Sequence, residues 1–361
     1  MRSALGTAGL GLALVLAGGL FDAEPLFVPG IAFLGLAALA AGLVAGAARG
    51  ARVERILADR RAVEGEPLAM TLRAHSRLPL PGGALADPLL AEPVALAPGR
   101  RSARLRMEVR FGRRGRRVLA APSLLLSDPL GLARRVVAGA HGDEVLVLPR
   151  TEAVRLPAAG DPIAAGAVRA LVTPAGGTEV DGLRPYRPGA PAARIHWPAA
   201  ARGAGLLERR LLPDGDGRPL LVLDARDPDS AEALDAAVRA TASLCLELAH
   251  AGGCSVRLPG DRRATRVERD LRAWPGVWTR LALVETGATP PPPLSGHAGP
   301  IFYVCARTGG TVPRALARAG GGSGPRVLVA PIGPGGPAPG AVALEVTGCR
   351  GHVLRAAARA A

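Results

Sequence analysis

At 361 residues the chain has room for two or three domains, and it contains no Lys, Asn or Gln, so all 45 basic side chains are Arg and the formal charge is +15. That balance favours anionic partners, but aromatics at 3% are too few for base-stacking platforms and no nucleic-acid-binding motif occurs, so nucleic acid is not expected as a partner. Cys245, Cys254, Cys305 and Cys349 form no C-x-x-C pair and lie in apolar runs, as reduced, buried thiols do.

Ala4 to Leu20 and Val28 to Ala48 are uncharged apolar runs, each approaching the length that crosses about 30 Å of hydrocarbon. Arg2 precedes them, Arg49, Arg52 and Arg55 follow, and the loop between carries only Asp22 and Glu24. The positive-inside rule puts both ends in the cytoplasm. Residues 1–50 are therefore expected to form a transmembrane hairpin, which makes this a multi-pass inner-membrane protein with its bulk in the cytoplasm. A cleaved signal peptide is the alternative for the first run. Its basic region is short, however, and no A-x-A site precedes Asp22. The Gly and Ala content suits close helix packing, and with no ionisable residue inside, the hairpin is an anchor rather than a channel.

From 51 to 150 the pattern becomes short alternating runs, such as Leu68 to Ala74 and Ala103 to Phe111, spaced by turns at Glu64-Gly65, Pro81-Gly82-Gly83 and Pro98-Gly99. This predicts a small antiparallel β-sandwich. Arg113, Arg114, Arg116 and Arg117 flank Gly115 as solvated charges of a hairpin turn, close enough to the bilayer to meet anionic headgroups. Residues 151–178, rich in Ala, Gly and Pro, are expected to be a linker.

The most distinctive stretch follows, with Leu183-Arg-Pro-Tyr-Arg-Pro-Gly189, Arg194-Ile-His-Trp197 and Ala201-Arg-Gly-Ala-Gly-Leu206. Rare residues at fixed spacing in this run resemble the signature of a bacterial family known as domain of unknown function 58. Ser127 to Leu132, with its D-P-L-G-L, and Val147 to Arg150 extend the likeness. Two positions depart from the pattern: Ala190 stands where the family has Asp, and Ala200 where it often has Ser. Three roles are open to Arg184, Tyr186, Pro188, Gly189, Arg194, His196, Trp197 and Arg202. They staple a loop to its domain through buried Trp and paired Arg, or form a docking surface, or support catalysis by His196.

After Gly217 the rhythm alternates strand and helix. Pro219 to Asp224 is a continuous apolar run ending in an acid, as in a buried parallel strand. A helix capped by Asp229 or Ser230 runs to Ala251. Strands are expected at Cys254 to Leu258, Ile301 to Ala306, Arg326 to Pro331 and Ala341 to Val346. Helices are expected at Val267 to Trp274, ended by Pro275, at Val312 to Ala319, and at His352 to Ala360. The order implies a mainly parallel sheet covered on both faces. With Asp224 ending its first strand, 179–361 resembles the family signature joined to a von Willebrand factor A-like domain. Such domains often bind a divalent cation through D-x-S-x-S. Here Arg226 and Pro228 occupy the serine positions, so the site at Asp224 is degenerate and no metal or other cofactor is expected.

No nucleophile elbow, P-loop or metal motif is present, so the chain is not expected to be an enzyme. What the resemblance implies is a membrane-anchored scaffold or adaptor that works with a MoxR-type AAA+ ATPase in assembling or maturing protein complexes. The alternatives are an arginine-mediated binder of anionic lipid or nucleic acid, and a hydrolase centred on His196.

Overall fold

A computed structural model of the chain describes residues 2–156, 183–185, 197–203, 205–209, 217–287, 289, 291, 294, 297, 299–308, 312–319, 324–333 and 340–354. They fall into two compact units, Met1–Val147 and Leu148–Ala361.

The first unit opens with α1 (Arg2–Leu20) and α2 (Phe27–Gly50), joined through a 3-10 turn at Glu24–Leu26. Both helices are long and apolar enough to cross a membrane. They touch where only glycine fits. A Cβ at Gly11 would sit 2.7 Å from the Gly30 carbonyl oxygen, and one at Gly30 would sit 2.7 Å from Val15 Cγ2. Such small-residue contacts let helices associate in lipid, where apolar burial alone gives no driving force. The start of α1 is held by a distant loop. The Leu132 carbonyl accepts from Ser3 Oγ–H at 2.9 Å and from the Ala4 N–H at 2.9 Å.

Ten strands follow: β1 (Arg52–Leu57), β2 (Arg61–Val63), β3 (Pro67–His75), β4 (Gly83–Ala86), β5 (Val94–Leu96), β6 (Ser102–Arg110), β7 (Gly115–Leu119), β8 (Ser123–Ser127), β9 (Arg134–Ala138) and β10 (Asp143–Leu148). Where the sequence suggested a β-sandwich, hydrogen bonding forms three short sheets, β1-β3-β6, β2-β10-β7 and β5-β4-β8-β9. One core serves all three and the end of α2, with Leu72, Leu124, Val145 and Val44 among its members. The period of two supplies it, as along β3, where Leu68, Met70, Leu72 and Ala74 are buried and Pro67, Ala69, Arg73 and His75 are exposed.

Two arginine expectations need correcting here. Residues 113–114 do not close a hairpin, because β6 and β7 belong to different sheets; Arg114 is buried, and Arg116 pairs with Glu144 at 3.1 Å. Arg55, counted above among the membrane-flanking charges, is buried too. Its Nε lies 3.3 Å from Asp87 Oδ2 and 3.3 Å from Asp143 Oδ2, and its Nη2 donates to the Ala120 carbonyl. The D-P-L-G-L run is a turn, as expected: the Asp128 carboxylate accepts from the N–H groups of Leu130 at 2.9 Å and Ala133 at 2.5 Å.

In the second unit β11 (Leu183–Pro185) and β12 (Leu207–Arg209) pair antiparallel, with α3 (Trp197–Ala201) between them in the chain. Then come β13 (Leu220–Asp224), α4 (Ala231–Ala251), β14 (Cys254–Arg257), β15 (Thr265–Val267), α5 (Trp274–Ala282), β16 (Ile301–Cys305), α6 (Arg314–Ala317), β17 (Arg326–Pro331), β18 (Ala341–Val346) and β19 (Cys349–Leu354). The sheet order is β15-β14-β13-β16-β17-β19-β18. Its four central strands run parallel, while β15, β19 and β18 pair antiparallel. Leu221 and Leu223 point into the core formed with α4, and Leu220 and Val222 into a second core with Leu294 and Leu316. Burial on both faces is why β13 is apolar at every position before Asp224.

Two expectations fail in this unit. Val267 to Trp274 is not a helix ended by Pro275: Thr265–Val267 is an edge strand, and Pro275 sits in the first turn of α5, where its missing N–H costs no hydrogen bond. No helix starts at His352, which lies in β19; β18 and β19 form a hairpin turning at Thr347 and Gly348, with φ of 46° and 77°. The described part of the expected linker is docked rather than loose. Arg155 and Glu345 exchange backbone hydrogen bonds at 2.8 Å, and Ser243 Oγ accepts from the Glu152 N–H at 2.9 Å. The remainder of 151–178 lies outside the described residues.

Candidate functional site

The neighbours of β13 are β14 on one side and β16 on the other, so the strand order reverses direction at β13. Loops leaving the carboxyl ends of two such strands diverge and leave a crevice, the place where open α/β sheets take ligands. Asp224 ends β13 there and is buried. Arg226 lies across its carboxylate: Nε donates to Oδ1 at 2.8 Å and Nη2 to Oδ2 at 2.7 Å. Tyr303, from β16, donates its hydroxyl to Oδ2 at 2.6 Å. A charge that burial would penalise is thus met by a bidentate guanidinium and a phenol.

The loop from Ala225 to Ser230 is built for this. Asp227 takes φ of 44°, which short polar side chains tolerate, and turns the chain back towards the sheet. Ser230 Oγ then accepts from the Ala233 N–H at 3.0 Å and caps α4. Asp229 ties this loop to the one after β16, its Oδ2 accepting from both the N–H and the Oγ–H of Thr308. Arg307 Nη1 stands 4.0 Å from Asp227 Oδ2.

Burial pushes the Asp224 carboxyl up, but the Arg226 and Tyr303 hydrogen bonds outweigh it and hold the group below the usual carboxylate range. Burial, then the Asp224 charge, pushes the Tyr303 phenol well up. Thr308 holds Asp229 low. The outcome is a fixed ion pair between Asp224 and Arg226. Nor does the donor set suit the cation discussed for Asp224. Both carboxylate oxygens already accept hydrogen bonds from a cationic group, and among the described residues no three His, Cys, Asp or Glu side chains gather as a cation-binding set.

Of the signature residues, Tyr186, Pro188, Gly189, Arg194 and His196 lie outside the described residues. Arg184 lies in β11, in register with Glu208 of β12. Trp197 opens α3 and is 60% exposed, so its ring is not the buried staple that was one expectation. Arg202 is exposed in the turn after α3, and its N–H donates to the Ala199 carbonyl at 3.1 Å. Tyr303 and Thr308 were missed by the sequence reading. Tyr303 had one signal, as one of only two tyrosines in the chain. Nothing local marked Thr308.

A scan against protein-family models and a search of curated proteins each returned no match to the chain.

Proposed function

We propose that the chain is a membrane-anchored scaffold whose soluble parts lie in the cytoplasm and dock a protein partner. The observation that carries this is Trp197, a large aromatic ring left 60% exposed, with the exposed Arg202 in the turn after the same helix. Trp and Arg dominate binding hot spots, and an exposed indole in the most distinctive stretch of the sequence is poorly explained by internal packing. Two further facts support the reading. The helices α1 and α2 supply an anchor of adequate length with arginines at both outer ends. At the sheet edge, Asp224 is neutralised by Arg226 rather than poised for chemistry.

On the resemblance to domain of unknown function 58, the partner is a MoxR-type AAA+ ATPase, and the α/β unit is von Willebrand factor A-like. The second point is supported by a parallel β14-β13-β16-β17 centre, an antiparallel edge strand and an Asp ending β13. The test is affinity capture of the detergent-solubilised full chain from its own cells, with and without ATP, followed by mass spectrometry. An AAA+ ATPase held by the wild type and reduced at least tenfold by Arg194→Ala with Trp197→Ala is the expected result. Unchanged capture by the double variant would remove the signature from the interface.

A further inference from the structure

Between α1, α2 and the start of β9 runs an apolar groove of about 630 Å³, within the range of ligand-binding clefts. Its walls include Ala4 and Ala8 of α1 and Leu34 to Ala45 of α2, and at one end stand Arg134 and Arg135 of β9. Both guanidinium groups are exposed, and neither has a hydrogen-bond or ion-pair partner among the described residues. That sets them apart from Arg55, Arg116, Arg226 and Arg350, each of which meets a carboxylate.

We propose that this groove binds one anionic glycerophospholipid of the surrounding bilayer, with an acyl chain against the alanines and the phosphate at Arg134 and Arg135. The inference rests on the membrane reading above. Charge complementarity selects the headgroup: the two exposed guanidinium groups that line the groove, each with its own planar fork of N–H donors, suit a phosphodiester. Length selects the tail. From Leu34 to Ala45 there are 11 helical rises, about 16 Å at about 1.5 Å each. Half of a hydrocarbon core of about 30 Å is about 15 Å, the depth of a single leaflet. A further transmembrane helix would need a groove along the full span. The basic end is also the end where α1 begins and α2 stops, so the phosphate would lie at the leaflet from which the β-rich region continues. The loop that positions the arginines is itself fixed to α1, through the Leu132 carbonyl and the N–H of Ala4 at 2.9 Å. Headgroup site and tail site are therefore held as one piece.

The test uses the full chain reconstituted in bilayer nanodiscs of equal phosphatidylglycerol and phosphatidylcholine, then released into native mass spectrometry. The wild type is expected to retain phosphatidylglycerol at least fivefold over phosphatidylcholine. Arg134→Gln with Arg135→Gln should bring the ratio to near one, and Ala41→Trp, at an exposed groove position, should lower retention of both lipids. A double variant that keeps the wild-type preference, or an Ala41→Trp chain that keeps its lipid, overturns the proposal. So does a protein dimer that Ala41→Trp dissolves, which would give the groove to a second copy. Flotation of each variant with pure phosphatidylcholine vesicles separates the two failures. A chain that floats and resists carbonate but shows no lipid preference sinks only the lipid site, whereas one that does not float sinks the anchor as well.

Discussion

The Asp224 carboxyl is held below the usual carboxylate range by its Arg226 and Tyr303 hydrogen bonds, and acid should expose this. It titrates lower in the folded chain than the unfolded value of about 3.9, so on acidification the unfolded state takes the proton first. The stabilisation is complete above about pH 5 and is lost as pH falls through the folded value. Asp224→Asn should therefore flatten the acid limb of stability, and Arg226→Ala, which leaves a buried carboxylate with a phenol and the residue-226 backbone N–H but no cation, should cost about 1–3 kcal/mol at neutral pH. Urea titration followed by tryptophan fluorescence reads both, since Trp197, Trp274 and Trp278 all lie in the second unit. In the first unit the matching test is Arg55→Ala. It strands the fully buried Asp87 carboxylate and is expected to cost about 3–5 kcal/mol by calorimetry, far more than Arg116→Ala at its exposed pair. Half of the Asp224 site was legible beforehand. The Arg226 contact spans two residues and follows from the run itself. Tyr303 is 79 positions away and reaches Asp224 only because β13 and β16 are neighbours, which no local pattern states.

At the scale of elements, the uninterrupted apolar runs were the most legible part, because strands buried on both faces leave no polar position to blur them. The misreadings share one cause, local signals overruled by pairing. Of the closing run from His352, His352 to Leu354 pair within β19 with both β17 and β18, while residues 355–360, whose alanines and arginines suggested a helix, lie outside the described residues. Pro275 has two structural meanings, stop and start, and only the packing of α5 chose between them. The helix hairpin makes a sharper prediction. Gly30→Leu would drive a side chain into Val15 and the Gly11 carbonyl, so α1 and α2 should separate. Gly35→Leu, where a Cβ meets nothing within 4 Å, should not disturb them. Disulfide trapping of a Cys pair placed across the two helices distinguishes the outcomes.

For the whole molecule, the packing of α1 bears on whether the first helix survives maturation. A cleaved leader leaves no lasting contacts, but α1 meets α2 at Gly11 and Gly30 and meets the β8–β9 turn through Ser3 and Ala4. The intact mass of the chain recovered from membranes is expected to include residues 2–20, and a mass lacking them would restore the signal-peptide alternative. The same contact has a temporal side. Ser3 and Leu132 are 129 residues apart, which at the usual pace of synthesis is on the order of ten seconds. On the membrane reading, α1 is already in the bilayer when its capping carbonyl leaves the ribosome. The β-rich region must then finish folding against the membrane surface, and its β8–β9 turn closes onto the first residues made.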